Sequence, residues 1–396
     1  MSGRPSNTAA SWAVLGLLAA AAAMRPACVE GGGTSLDAGP MLEGLPAVIL
    51  PLLDAAAEEA ASLEDAVEAW ASVPGGTDEL GEAQAAWRAA ADAWQVAEVL
   101  QIGPAAPSTS SRGGEDGRDE IYSWPTSNPC RVDQEIVEEG YLTDSYFDDN
   151  LVNVYGLDAL EYLLFHPGLN ACAGQHPINE DGTWDALSPS ELLSRRATFA
   201  RRLAVRVRGD MDVLVTAWEP SGGDFAGELA SAGTGSTVYT TELQGVNAVF
   251  DALFYIELET KDAKLGVPLG RVEGCGAPPC ADLVESRWAL ESTAHLAANL
   301  RGFRALYFGG EGLGFDDLLI GLGEDELHGR VDSALNAAEA SIIALGDADV
   351  GSLLTDAPAD VDAAYDAVKA LADLLKNELP LVLILQVPNE AGGDND

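Results

Sequence analysis

The sequence predicts an all-α fold of two helical bundles in series, and three observations carry that reading. Alanine and other strong helix formers are abundant, while aromatics make up only 7% of the chain. Apolar residues recur at three- and four-residue steps along most of its length. Strand patterning is nearly absent; the one β-like run, residues 381–387, could equally be a buried helix end. With 396 residues and 47% hydrophobic content, the chain can build two cores of ordinary size.

The elements follow in order. Residues 1–27 read as an export signal. Arg4 gives a weak basic start, and the apolar run 12–24 is too short to span a bilayer but suits a signal core. Cys28 follows where a bacterial lipoprotein carries its lipid, although Arg25 stands where such sites usually have leucine. An ordinary secretory signal cut nearby is the alternative. Residues 28–44 are glycine-rich and read as a flexible tether. The N-terminal bundle is expected over 45–218. It holds helices at 53–71 and 80–101, a mobile Ser/Gly/Pro-rich loop at 105–117 and a compact aromatic stretch at 121–129. Helices at 134–141 and 150–165 follow, then a loop at 171–187. A long helix, 190–218, is opened by the cap Ser188-Pro189-Ser190. Glu219-Pro220-Ser221-Gly222-Gly223 is the expected boundary. The C-terminal bundle, 224–390, is expected to hold helices at 240–260, 282–307, 314–319, 324–346 and 359–375, with a turn-rich stretch at 264–279.

Charge excludes some functions. There are 64 acids against 21 bases, a net charge of −43, and the only lysines are Lys261, Lys264, Lys369 and Lys376. Such a chain is repelled by nucleic acid and by anionic membrane surfaces. A solvated acidic surface accounts for most of this charge; the sharper reading is a surface that concentrates cations. The one cationic island, Arg195, Arg196, Arg201, Arg202, Arg206 and Arg208, reads as salt bridging between helices or domains before anion binding.

Setting Cys28 aside leaves Cys130, Cys172, Cys275 and Cys280, an even number suited to disulfides in an oxidising compartment. Cys275 and Cys280 could close a short turn, and Cys130 with Cys172 could staple the flanks of the helix between them, but three connectivities are open. No pair has the Cys-x-x-Cys spacing of a zinc site.

The most informative stretch is 154–165, a strongly apolar helix carrying Asp158 and Glu161. Their i,i+3 spacing puts both on one face. Carboxylates inside an apolar helix need a partner, and a cation or an arginine is the obvious one. Arg88, the arginine island and the hydroxyls of Tyr155 or Tyr162 are the candidates for a purely structural network. Zinc-peptidase chemistry is not expected. The chain has four histidines and no His-Glu-x-x-His, and Glu291 with His295, at i,i+4, reads as a packing pair. Nor is there a Gly-x-Ser-x-Gly elbow.

Gly156-x-Asp158-x-x-Glu161 is similar to the Gly-x-His-x-x-Glu signature of the imelysin family, a peptidase-like group, with Asp158 at the histidine position. Further segments resemble that family's landmarks in order: 86–103 with Trp87, Trp94 and Glu98; Trp124-Pro125 followed by Asp133; 264–270; and 299–307. The resemblance implies two helical bundles, an exported location, and a site near the signature helix. It also implies a link to uptake of iron or other metals, or to insulin-cleaving peptidases. On this chain the metal-site positions are Asp158, Glu161 and Glu98, with Trp124, Asp133 and Gln101 around them. The expectation is therefore an exported periplasmic or outer-membrane lipoprotein. It binds a metal ion or metal complex, with iron favoured, and meets an uptake-system protein. An altered peptidase-like protein and a ligand-free surface scaffold are the alternatives.

Overall fold

The computed structural model describes residues 37–392 except 167 and 169. Among the described residues there is no strand, and the architecture is helical bundles throughout. The expected signal, Cys28 and most of the tether lie outside the described residues. The last part of the tether is not flexible chain: Gly39–Gly44 form a helical turn, and Met41 and Leu42 are buried.

The first long helix, α1 (Pro46–Ser72), starts with proline in its first turn and buries Ile49, Leu53, Ala56, Ala60, Leu63, Val67 and Trp70. That alternation of three- and four-residue steps makes one apolar stripe. It packs on α2 (Thr77–Ala97) and on α5 (Pro189–Trp218). Between them in sequence lie α3 (Pro129–Glu138) and α4 (Leu157–Phe165). The cap expected on α5 is present: Ser188 Oγ accepts from the Glu191 amide at 3.2 Å. Helix α3 starts earlier than its apolar pattern suggests, because Asn128 caps it and Pro129 occupies its first position.

In the second half, α6 (Glu242–Leu253) leads into a π-helix, Ile256–Gly266, followed by α7 (Ser292–Phe308), α8 (Asp325–Ala344) and α9 (Pro358–Asn377). Two expectations fail here. The helix expected over 240–260 and the turns expected after it are joined by the π-helix, whose inward face carries Glu257, Thr260, Lys261 and Lys264, all buried. The helix expected over 282–307 begins only at Ser292. Ser286 and Leu290 have φ of 48° and 61°, which an α-helix cannot contain. Residues 284–291 are instead an irregular loop. The β-like run 381–387 is no strand: a short helix, Leu379–Leu383, takes its first three residues, 384–387 are irregular, and Leu381 and Ile384 are exposed, so it is not a buried helix end either.

Helix α2 is shared. It packs against α1 and α4 on one side of the fold and against α7 on the other, and α7 in turn meets the π-helix. The two bundles thus have one continuous core. The segment Phe225–Ala230, beyond the expected boundary, returns to pack on α1 and α5. Two disulfides close, Cys130–Cys172 and Cys275–Cys280, so Cys130 on α3 is tied to the loop after α4.

Candidate functional site

Helix α4 begins at a forced turn. Gly156 has φ 97° and ψ −178°, a region in practice reserved for glycine. A side chain there would also meet Asp158 Oδ1 at 2.9 Å and the Ile121 carbonyl at 3.0 Å. This turn drives the apolar helix straight into the core, so both acids are buried. Asp158 Oδ2 accepts from Ser123 Oγ at 3.0 Å. Glu161 Oε1 accepts from two backbone amides, Trp288 and Ala289, each at 2.8 Å. Glu161 therefore ties α4 of the first bundle to the irregular loop of the second.

Both acids line one cavity of about 350 Å³, together with Trp124, Ser286 and Trp288, and with exposed Asp282 at its edge. Burial pushes the Asp158 carboxyl up to about 6 and the Glu161 carboxyl up to about 8; each of their hydrogen bonds acts the other way without prevailing. Neither acid forms an ion pair among the described residues. The expected arginine partners are engaged elsewhere. Arg88 binds Glu291 at 2.5 Å. Arg195, Arg201, Arg206 and Arg208 bind acids along α1, α5 and nearby turns, as the salt-bridge reading of that island anticipated.

Beside the cavity lies a buried charge network that sequence spacing does not reveal. Glu285 Oε1 accepts from Lys264 Nζ at 2.9 Å, from Tyr122 OH at 2.8 Å and from Gln95 Nε2 at 3.2 Å. Its other oxygen is 3.4 Å from His295 Nδ1, which also meets Ser286 Oγ at 3.2 Å. Burial alone would raise the Glu285 carboxyl, but Lys264 and His295 outweigh it and hold it at about 2. Lys264 is further anchored by Asn299 Oδ1 at 2.9 Å. The signal for this network was the pair of inward lysines in an otherwise lysine-poor chain. A lysine in a turn-rich stretch gives no hint of burial.

The remaining site candidates separate. Glu98 is buried but bound to Arg118 at 2.7 Å, and it is not among the residues lining the cavity. Arg118 Nη2 in turn donates to the Trp124 carbonyl at 3.0 Å, so Trp124 links the cavity wall to that pair. Asp133 sits elsewhere, accepting from Tyr162 OH at 2.7 Å and from the Ala171 amide at 2.6 Å. Gln101 lines a different cavity with Arg112, Tyr239 and Asn247. Among the described residues, Glu98, Asp158 and Glu161 do not bring three oxygens within 4.8 Å of one another. The one set of three candidate ligand atoms that does is Cys130, Cys172 and His176, and its sulfurs are joined in a disulfide.

With this geometry in view, comparison with known proteins is decisive at the level of family. The imelysin family model matches residues 49–377. The chain belongs to the imelysin family. Two solved structures share its fold. One is from Parabacteroides distasonis ATCC 8503 and is described as an iron-regulated protein A precursor. It is 17% identical, covers 87% of this chain and 95% of its own, and has a TM-score of 0.66. The other is an imelysin-like protein from Psychrobacter arcticum 273-4, 19% identical, covering 89% and 99%, with a TM-score of 0.67. No curated protein matches the sequence. The imelysin signature gains a physical meaning here. Its glycine makes the forced turn, and its glutamate locks two bundles together through paired amides. The position that carries histidine in the signature holds Asp158, which faces the cavity in this chain.

Proposed function

We propose that this imelysin-family chain binds a metal ion or a small metal complex at Asp158 and Glu161, between its two bundles, in the service of iron or other metal acquisition. One observation carries the reading. Glu98, Glu135, Glu257 and Glu285 are buried acids with a basic partner, whereas Asp158 and Glu161 form no ion pair among the described residues and line the same cavity. Buried carboxylates without a counter-charge are costly, and a bound cation removes that cost. Their oxygens suit hard cations such as iron(III), manganese or calcium better than zinc. Asp158 would bind through a carboxylate already oriented by Ser123. Glu161 would bind through Oε2, since Oε1 is held by the two amides. For Glu98 to join them, Arg118 would have to release it.

The description of one structural relative as iron-regulated supports iron as the favoured metal. The two disulfides support an exported location. A lipid on Cys28, a periplasmic or outer-membrane site and an uptake-system partner complete the proposal. A peptidase role is disfavoured because no histidine lines the cavity among the described residues.

The test is metal content and titration of residues 29–396 beside Asp158→Ala and Glu161→Ala, each checked for intact helicity. Near-stoichiometric iron or another cation, lost in both variants, supports the site. No metal above background under several loading conditions overturns it, leaving the two acids as structural groups.

A further inference from the structure

The disulfide that ties α3 to the loop after α4 has a histidine beside it. One donor atom from each of Cys130, Cys172 and His176 lies within 4.8 Å of the other two. All three residues are half-buried, within reach of small solutes. Cys130 and Cys172 are 42 residues apart, so the close spacing of metal ligands that the sequence lacks is supplied by the fold.

The trio is held from both sides, and not by the S–S bond alone. Cys130 sits in the first turn of α3, a ten-residue helix capped by Asn128. Gln134, one turn on, places its Nε2 3.5 Å from the Cys130 sulfur. A helix N-terminus and a nearby N–H donor both favour thiolate over thiol. On the loop side, the Asn170 and Asn179 side chains bond to each other at 2.8 and 3.1 Å. Asn179 Nδ2 also donates to the carbonyls of Cys172 at 3.1 Å and Ala173 at 3.0 Å. The Ala171 amide donates to Asp133 of α3 at 2.6 Å. These bonds keep Cys172 and His176 beside α3 when the disulfide opens. His176 Nδ1 accepts from the Ile178 amide at 3.5 Å, too long a bond to reserve the ring.

We infer that Cys130, Cys172 and His176 form a redox-gated zinc site, closed while the disulfide stands and opened when a dithiol reduces it. The dithiol gives two electrons and two protons and becomes a disulfide itself; the Cys130–Cys172 bond becomes two thiols. Zinc(II) then displaces both thiol protons and binds two thiolates at about 2.3 Å and the imidazole at about 2.0 Å. Water takes the fourth tetrahedral position. Two sulfurs on one zinc stand about 3.8 Å apart, a separation that side-chain rotation at Cys172 can supply without moving α3. Thiolates select zinc over the hard cations that suit carboxylates. The site is also separate in space, since none of the three residues lines the cavity of Asp158 and Glu161.

The test uses residues 29–396 with Cys275→Ser and Cys280→Ser, so that one disulfide remains. Zinc sulfate is titrated before and after reduction by an immobilised phosphine, and cobalt(II) replaces zinc to give a spectrum. Zinc is expected to add one equivalent per chain on reduction. Cobalt is expected to show a thiolate charge-transfer band, which carboxylates cannot produce and which therefore separates this site from the carboxylate cavity. Cys130→Ser and His176→Ala are each expected to weaken zinc binding at least about tenfold. Reduction is expected to lower the thermal midpoint and zinc to raise it again, because the metal closes the same loop. Circular dichroism follows the fold, with Cys130→Ser/Cys172→Ser as the reference for the chain without this disulfide. The inference is overturned if reduction adds no zinc, if cobalt shows no thiolate band, or if binding is undiminished in Cys130→Ser or His176→Ala. Helicity lost on reduction and not restored by zinc overturns it too.

Discussion

Replacing Glu161 by glutamine and by alanine separates its two duties, holding the bundles together and carrying charge into the cavity. Oε1 accepts from the Trp288 and Ala289 amides at 2.8 Å. Alanine strands both buried donors at about 1–3 kcal/mol each, so a loss of about 2–6 kcal/mol is expected. Glutamine keeps an oxygen for those amides and loses only the charge. The charge has its own pH signature. Burial raises this carboxyl from 4.5 to about 8, so between those values the folded chain binds more protons than the unfolded one. Its contribution is then fully present below pH 4.5 and is lost as pH rises through about 8, a fall of at most about 5 kcal/mol. Asp158, raised from 3.8 to about 6, adds a smaller fall of the same sign. Urea unfolding in chelator at pH 5.5, 7 and 8.5 reads both duties. At pH 5.5 glutamine should match the native chain within about 1 kcal/mol, because Glu161 is then protonated. At pH 8.5 it should be the more stable of the two. The reasoning fails if glutamine destabilises as much as alanine at pH 5.5, or if it leaves the pH slope unchanged.

Further predictions concern the frame of the site. Gly156→Ala should lose about 1–3 kcal/mol from its backbone conformation alone, and more from contact with Asp158 and Ile121, read as a lowered urea midpoint. Lys264→Met leaves Glu285 buried without its main cation and should cost about 3–5 kcal/mol, whereas Arg88→Ala, at a half-exposed pair, should change stability by less than about 1 kcal/mol. Removing Cys130–Cys172, which spans 42 residues, should lose about 4 kcal/mol by loop entropy, and removing Cys275–Cys280 about 2 kcal/mol; thermal unfolding of the two double-serine variants gives the order.

What the sequence by itself determined is what local spacing encodes. The stripe on α1, the cap on α5 and the burial of Asp158 and Glu161 on one apolar helix all follow from periodicities that any short window displays. The family signature was legible for the same reason, since Gly156 and Glu161 lie five residues apart on one element. The tertiary structure alone decided partners. Glu161 of α4 meets a loop more than 120 residues away, and that loop is irregular, with Ser286 and Leu290 at positive φ. Glu285 and Lys264 became buried partners only when α2, α7 and the π-helix closed around them. Glu98 took an arginine twenty residues on, and Gln101 and Asp133 turned to other surroundings. Helical spacing fixes the face on which a charge sits. Long-range packing decides whether it meets water, a counter-charge or an open cavity.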